Sequence, residues 1–218
     1  MQGRLGRRDV VLTALSTALA IAVYGVVFGV IAGSSWGAWR AILASAFIYS
    51  GSIQFAGAAL LSQGAGASVI VSTAVILNAR NVFLGSILRR RVPAGILTRL
   101  GVAYLMDDES FGIAMASRLP AALVVVGVGL AFFTAWVGGT ALGTLIGSSN
   151  SLLAGAADAM FPVLFVGLAA VSIEDRIGVA RTAAAGIGTL AVAAAFPSAR
   201  EFIPVVAAVI VSVAGRRR

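Results

Sequence analysis

Residues 66–88 read GASVIVSTAVILNARNVFLGSIL, an oily stretch whose strongly polar residues, Asn78, Arg80 and Asn81, cluster near its centre. About 20 apolar residues, each rising 1.5 Å along a helix, are enough to cross the hydrocarbon layer of a membrane. A guanidinium at that depth costs roughly 2.5–3.5 kcal/mol, so its presence requires a compensating interaction. A carboxylate partner inside a helical bundle, or a polar passage for a solute, would provide one.

The whole chain has the composition of a membrane protein. Of its 218 residues, 60% are hydrophobic and 11% are charged, whereas about a quarter of the residues of a soluble domain are charged. The apolar stretches have the length of helices and do not alternate as strands of a membrane barrel do. We therefore expect an all-α, polytopic integral membrane protein, with one multi-pass transmembrane domain over residues 1–218.

The basic residues indicate lipid rather than nucleic acid as the anionic partner. All 16 are arginines, and the formal net charge is +8. Most lie at segment ends, where positive charge marks the cytoplasmic side and contacts anionic lipid headgroups. The three clusters are Arg4, Arg7 and Arg8; Arg89, Arg90, Arg91 and Arg99; and Arg216, Arg217 and Arg218.

Several classes of chemistry are disfavoured by residue types that the chain lacks. It contains no cysteine, histidine or lysine, which excludes thiolate and imidazole metal sites, serine–histidine catalysis and the lysine-containing ATP-binding loop. An intramembrane enzyme using paired carboxylates is disfavoured because Asp107 and Asp108 are adjacent and would diverge on a helix. We predict that the protein is not an enzyme and uses neither cofactor nor metal.

The hydropathy pattern predicts about seven transmembrane helices joined by short connections. The predicted spans are roughly 10–33, 40–62, 66–88, 96–118, 120–147, 157–173 and 178–196, followed by a short apolar segment at 202–215. Pro162 falls inside the sixth span and should kink or break it, and transporters often bind their solutes at broken helices.

The number of true crossings depends on the positive-inside rule. If all the arginine clusters are cytoplasmic, an even number of crossings must separate them, yet residues 10–88 hold three oily segments. One segment would then be re-entrant, and GSIQFAG at 51–57 makes the second span the candidate because it is rich in glycine and polar atoms. The alternative is that all three segments cross and the charge rule is broken once.

Two glycine ladders suggest a two-fold internal repeat with halves at 9–118 and 119–215. Duplicated halves are common in transporters, whose sites lie where the halves meet. In each ladder a glycine recurs every four residues, so one face of the helix carries no side chains. Such a face allows another helix to pack closely, either within the subunit or in a partner. The ladders are Gly25, Gly29 and Gly33, and, 114 positions later, Gly139, Gly143 and Gly147.

The first polar constellation is Tyr49-Ser50-Gly51-Ser52-Ile53-Gln54-Phe55. Ser50 and Gln54 are one helical turn apart, and Gly51 allows close approach of a solute or a backbone. A hydroxyl and an amide can bind the charged groups of a zwitterion, which predicts a substrate site at Ser50, Gly51, Gln54 and Phe55. The alternative is hydrogen bonding between helices.

Two further constellations carry charge. In Asn78-Ala79-Arg80-Asn81 the two asparagines share a helix face. The Arg80 guanidinium can bind a carboxylate of the substrate or of the protein through two parallel hydrogen bonds. Three consecutive acids, Asp107-Asp108-Glu109, are too costly in lipid, so this segment is either unwound in an aqueous vestibule or exposed as a loop. We predict a coupling or gating role for these acids, and also for Asp158, a further candidate partner for Arg80.

Together these motifs resemble the AzlC family of branched-chain amino acid permeases. The stretches that carry the resemblance are FIYSGSIQFAG at 47–57, ILNARNVFLGSIL at 76–88, YLMDDESFGIA at 104–114 and DAMFPVLFVGL at 158–168. The chain departs from the family pattern at Asp107, where threonine is common, at Tyr49-Ser50, where a smaller pair is usual, and at Asn81, where histidine is frequent.

The resemblance implies an exporter of valine, leucine, isoleucine or similar neutral amino acids in the bacterial inner membrane, with a small AzlD-type membrane subunit as partner. We expect a secondary-transporter subunit that works by alternating access. Ser50, Gly51 and Gln54 would line its site, and Asn78, Arg80 and Asn81 would supply the polar wall. The alternative is a channel or a non-transporting assembly subunit.

Overall fold

The structure, a computed structural model, describes residues 5–92 and 95–149, which form helices joined by short connections. This confirms the predicted all-α class. The predicted spans beyond residue 149, together with Asp158 and Pro162, lie outside the described residues. The helices within the described ranges are α1 (Arg7–Trp36), α2 (Ala38–Ile48), α3 (Gly51–Ser62), α4 (Ala67–Arg89), α5 (Ile96–Tyr104), α6 (Asp108–Ala116) and α7 (Ala121–Ser149).

Three of these helices, α1, α4 and α7, are long and apolar enough to cross a membrane. The predicted spans at 40–62 and 96–118 are each broken instead, the first into α2 and α3 and the second into α5 and α6. Helix α2 ends at Tyr49, whose backbone lies in the left-handed region (φ 41°, ψ 52°). Residues other than glycine rarely adopt this conformation. The expectation of at least one broken segment is therefore confirmed.

The second break is fixed by the side chains at the start of α6. The Asp107 carboxylate accepts a hydrogen bond from the Ser110 backbone N–H at 2.6 Å, and the Asp107 N–H donates to the Ser110 hydroxyl at 3.0 Å. This reciprocal capping satisfies N–H groups that a helix start leaves without partners. The acidic motif therefore starts a helix rather than continuing α5.

The chain divides into two compact units, and the functional geometry below lies within the first. The described part of the first unit is residues 5–58 and 77–149. The described part of the second is residues 59–76, which hold the end of α3, the start of α4 and the turn between them, where Gly64 has a φ of 73°.

Helices α1 and α7 run parallel and pack closely along their glycine ladders. A methyl group added at Gly29 would overlap the backbone carbonyl of Thr140, and one added at Gly143 would overlap the carbonyl of Val26. The glycines therefore allow backbone-to-backbone contact that no larger residue permits. Of the two structural alternatives, the ladders serve packing within the subunit.

The contact between the ladders is two-fold symmetric. Gly25 faces the carbonyl of Trp136, while Gly139 faces the carbonyl of Ala22, and both partners are related by the same offset of 114 residues. The middle glycines of the two ladders face each other directly. Such reciprocal contacts are the signature of a two-fold axis. Most of the second half lies outside the described residues, so the internal repeat stays a prediction.

An apolar cluster brings the arginine-bearing helix ends together. Leu88 and Val92, at the end of α4, belong to the same buried cluster as Val10 and Ala14, near the start of α1, and Ala121, at the start of α7. Beside it, the Leu5 N–H donates to the Ala116 carbonyl at 2.9 Å, and the Arg118 N–H donates to the Leu5 carbonyl at 3.1 Å. Within the first unit, the end of α4 therefore shares one buried cluster with the starts of α1 and α7.

The α5–α6 pair starts after α4 and finishes beside Leu5, so within the first unit it begins and ends near the start of α1. The end of α3 and the start of α4 belong to the second unit, so the two topologies that the sequence left open for residues 10–88 stay predictions.

Candidate functional site

A closed ring of hydrogen bonds fixes α2 and α3 against α7. The Trp136 Nε1–H donates to Gln54 Oε1 at 2.9 Å, and Gln54 Nε2–H donates to the Ser45 hydroxyl at 3.1 Å. Ser45 and Thr140 share a hydrogen bond of 2.8 Å, and the Thr140 hydroxyl donates to the Trp136 carbonyl at 2.9 Å. Since that bond uses the only hydroxyl hydrogen of Thr140, Ser45 is the donor between them. All four side chains are buried.

The ring of hydrogen bonds explains why the amide of Gln54 and the glycine at position 51 lie just after the first break, at Tyr49. Tryptophan can only donate, so it requires the oxygen of Gln54 and fixes the orientation of that amide. A side chain at Gly51 would press on the Trp136 indole, which lies 3.3 Å from the added carbon. Gln54 is only 1% exposed, and both the nitrogen and the oxygen of its side-chain amide are hydrogen-bonded to protein. In this conformation it holds the break in place, and its contact with a solute stays a prediction.

The two breaks meet at Tyr49 and Tyr104. The Tyr49 hydroxyl lies 3.1 Å from Asp107 Oδ2 and 3.2 Å from the Gly129 carbonyl of α7. The Tyr104 hydroxyl, at the end of α5, donates to the Ala46 carbonyl of α2. The carboxyl-terminal ends of α2 and α5 are thus tied to each other and to α7.

The contacts of Tyr49 can respond to a proton on Asp107. A phenol carries one hydrogen and cannot donate fully to two acceptors at once. When Asp107 is ionised, it is the stronger acceptor for that hydrogen. When Asp107 is protonated, its own O–H can donate to the Tyr49 oxygen, and Tyr49 can then donate to the Gly129 carbonyl. The geometry therefore couples the protonation of Asp107, at the second break, to the contact between Tyr49, at the first break, and α7.

The charged residues of the second and third constellations form an ion pair. Arg80 Nη1 lies 2.5 Å from Asp108 Oδ2, in the first turn of α6. The Arg80 and Asp108 side chains are 57% and 37% exposed, so other groups can reach both charges. The Asn81 amide donates to Asn78 Oδ1 at 3.1 Å, which confirms that the two asparagines share a face.

The structure brings some predicted site residues together and separates others. Arg80, Asp107 and Asp108 gather at the second break, with Glu109 following them in α6. Gln54 belongs instead to the buried ring, and Gly51 contacts that ring through Trp136. Asp158 lies outside the described residues.

Sequence reasoning missed four residues that connect these groups. They carry no charge, and most of them lie in stretches whose sequence is typical of an ordinary apolar helix. The tryptophan and the threonine next to a glycine ladder could have indicated a polar contact at the helix interface. The missed residues are Ser45, Tyr104, Trp136 and Thr140.

These features define a membrane protein in which two broken helical segments meet beside a parallel helix pair. Comparison with known proteins gives the family. Residues 16–149, more than half of the chain, match the family model described as AzlC protein, so the chain belongs to the AzlC family.

A relative and the solved structures add two facts. An uncharacterized membrane protein of Archaeoglobus fulgidus is 33% identical over 109 residues, which cover 50% of this chain and 48% of that protein. The chain thus spans about half the length of the curated relative that it matches. No solved structure matches the chain.

Proposed function

We propose that this protein is the transporting subunit of a secondary transporter that exports branched-chain or similar neutral amino acids across the bacterial inner membrane. Membership of the AzlC family supports a transport role. The observation that carries the proposal is the meeting of the two breaks beside the Arg80–Asp108 ion pair. Broken helices with charged groups at their breaks are typical of transporter binding sites.

The proposed membrane arrangement rests on the arginines at the helix ends and on the positive-inside rule. Helices α1, α4 and α7 cross the bilayer, with the arginine-bearing ends on the cytoplasmic side as the positive-inside rule requires. The α5–α6 pair enters from that side, and the α2–α3 pair enters from the other. Irregular backbone within the membrane is tolerated only where it lines a cavity or is buried in protein. Because both breaks contain such backbone, we place the proposed site at their depth.

The ion pair accounts for a preference for zwitterions. A neutral amino acid has one carboxylate and one ammonium group, so it can insert between Arg80 and Asp108 and satisfy both without changing the net charge. The carboxylate would take the two parallel donors of the guanidinium, and the ammonium would take the aspartate. Reforming the protein's own pair on release would return the empty site to its starting state.

The Tyr49–Asp107 contact supplies a proposed link between a proton and the conformation. Protonation of Asp107 frees Tyr49 to bond Gly129, while ionisation draws Tyr49 toward the second break. A proton gradient could thereby favour one of the alternating states. The chain itself offers no lysine-containing ATP-binding loop that would provide another energy source.

The test is leucine flux in proteoliposomes made with the full chain, alone and together with a small AzlD-type subunit. We expect saturable flux that unlabelled valine or isoleucine inhibits and that an inert neutral solute of similar size does not. Flux that rises linearly with concentration would identify a channel. An absence of flux through this chain under every condition, with flux through the companion alone, would identify an assembly subunit.

Replacing Tyr49 by phenylalanine should uncouple transport from the pH gradient. The ring and its packing against Phe133 are kept, but the hydrogen bond that alternates between Asp107 and Gly129 is lost. One such bond corresponds to about 1 kcal/mol, or roughly fivefold in rate. We expect flux in an imposed pH gradient to fall by about that factor, toward its gradient-free value. Tyr24→Phe, on α1, is the matched control, and equal behaviour of the two variants would contradict the coupling role.

A further inference from the structure

A cavity at the arginine-bearing end of the molecule has the chemistry of an anion site. Its volume is about 400 Å³, and it is lined by Ser86, Arg89 and Arg90 of α4 and by Arg99 of α5. Three guanidinium groups thus line a small space. Within residues 5–92 and 95–149, none of the three forms an ion pair with a carboxylate. Among these described residues, the cavity therefore carries positive charge that no carboxylate pairs with.

Local hydrogen bonds orient two of the lining side chains. Arg99 Nε donates to the Val92 carbonyl at 3.4 Å, which ties α5 to the connection after α4 and leaves both Nη groups for an anion. The Ser86 hydroxyl donates to the Phe83 carbonyl at 2.7 Å, within its own helix. The strong donors of the cavity are therefore the guanidinium groups, which favour the oxygens of a phosphate through paired hydrogen bonds.

The surroundings of the cavity distinguish a lipid from a free anion. Phe83 and Ile87 lie about one turn from Ser86 and Arg90 on α4, and their side chains are 62% and 50% exposed. Leu97, at the start of α5, is 81% exposed. A free phosphate gains nothing from such side chains, whereas acyl chains below a phosphate group would cover them.

We propose that this cavity binds the phosphate headgroup of an anionic phospholipid, with the acyl chains lying along Phe83 and Ile87 of α4. The site lies where α4 leaves its apolar stretch, which is the depth of the headgroups if α4 crosses the bilayer. Basic pockets between helices on the cytoplasmic side are suited to anionic lipid headgroups. The proposal does not depend on the identity of the transported solute.

The proposal can be tested by lipid titration of the purified full chain in a neutral detergent. Thermal unfolding would be followed as dioleoyl-phosphatidylglycerol, dioleoyl-phosphatidylcholine or inorganic phosphate is added. We expect saturable stabilisation by phosphatidylglycerol only. In the variant Arg90→Gln/Arg99→Gln the apparent dissociation constant should rise roughly thirtyfold, as expected when two cations are removed from a headgroup site.

The matched control is Arg7→Gln/Arg8→Gln, which removes the same charge from the same end of the molecule but outside the cavity. It should leave the affinity for phosphatidylglycerol unchanged. An equal loss in both double variants would show general surface charge and overturn the proposal, as would equal stabilisation by inorganic phosphate. If Arg90→Gln/Arg99→Gln fails to fold, Arg99→Gln alone should still weaken binding about fivefold, and wild-type affinity there would refute the site.

Discussion

Replacing Gly143 by leucine is expected to force α1 and α7 apart and to destabilise the protein by more than about 3 kcal/mol. Even the first carbon of the new side chain would overlap the Val26 carbonyl, and it would lie 2.9 Å from the Cα of Gly29. Backbone atoms in a helix cannot move aside as the end of a flexible side chain can. Thermal unfolding of the detergent-purified protein should show a midpoint roughly 6–12 °C lower, or the protein should fail to accumulate.

Gly138→Leu is the matched control for this prediction. Gly138 is on the same helix, five residues before Gly143, and within the described part of the chain a Cβ added there meets no atom outside its own helix within 4 Å. The two variants share the same gain in helix propensity and in apolar surface. Equal stability of the two would show that the glycine ladders are not a packing interface. Because the contact is two-fold symmetric, Gly29→Leu should behave like Gly143→Leu.

The sequence was sufficient to predict the fold class and the glycine interface because both depend on local patterns. Runs of apolar residues set helix length, and small residues every four positions set a smooth face. That the two ladders contact each other, rather than a partner, could not be derived, because spacing within a helix does not specify what lies opposite. The second span was the predicted candidate for an irregular segment, but the position of its break at Tyr49 could not be derived, since a left-handed tyrosine has no local sequence signature.

The candidate site was predictable where charge was involved. A guanidinium in an apolar stretch requires an acid nearby, and Asp108 is the acid that the structure places beside Arg80. The ring through Ser45, Gln54 and Trp136 was not predictable, because its members come from three helices and neutral polar residues have many alternative partners. Gln54 illustrates this, since the sequence did not indicate its hydrogen bonds to Ser45 and Trp136, while its predicted contact with a solute stays a prediction.

Replacing Arg80 by alanine is expected to abolish amino acid flux, to below about 1% of wild type, while leaving membrane insertion intact. The variant removes a cation whose insertion in an apolar layer is unfavourable, so insertion should not suffer. It also removes the cation proposed to bind the substrate carboxylate and leaves Asp108 without the guanidinium that lies 2.5 Å away. Arg80→Lys should also transport poorly, because an ammonium cannot form the two parallel bonds of a guanidinium. Leucine flux in proteoliposomes, normalised to inserted protein, is the measurement.

The double variant Arg80→Ala/Asp108→Ala separates a transport role from a purely structural ion pair. If the pair only neutralises charge, removing both members should relieve the unpaired charge that each single variant leaves, and flux should recover. If the pair is where the zwitterion binds, the double variant should remain inactive although it is well folded. Arg40→Ala is the control, because Arg40 lies over the ring of its neighbour Trp39 and donates to the Trp36 carbonyl at the end of α1. It should transport normally. Recovery of flux in the double variant, or full flux in Arg80→Ala, would remove the ion pair from the transport mechanism.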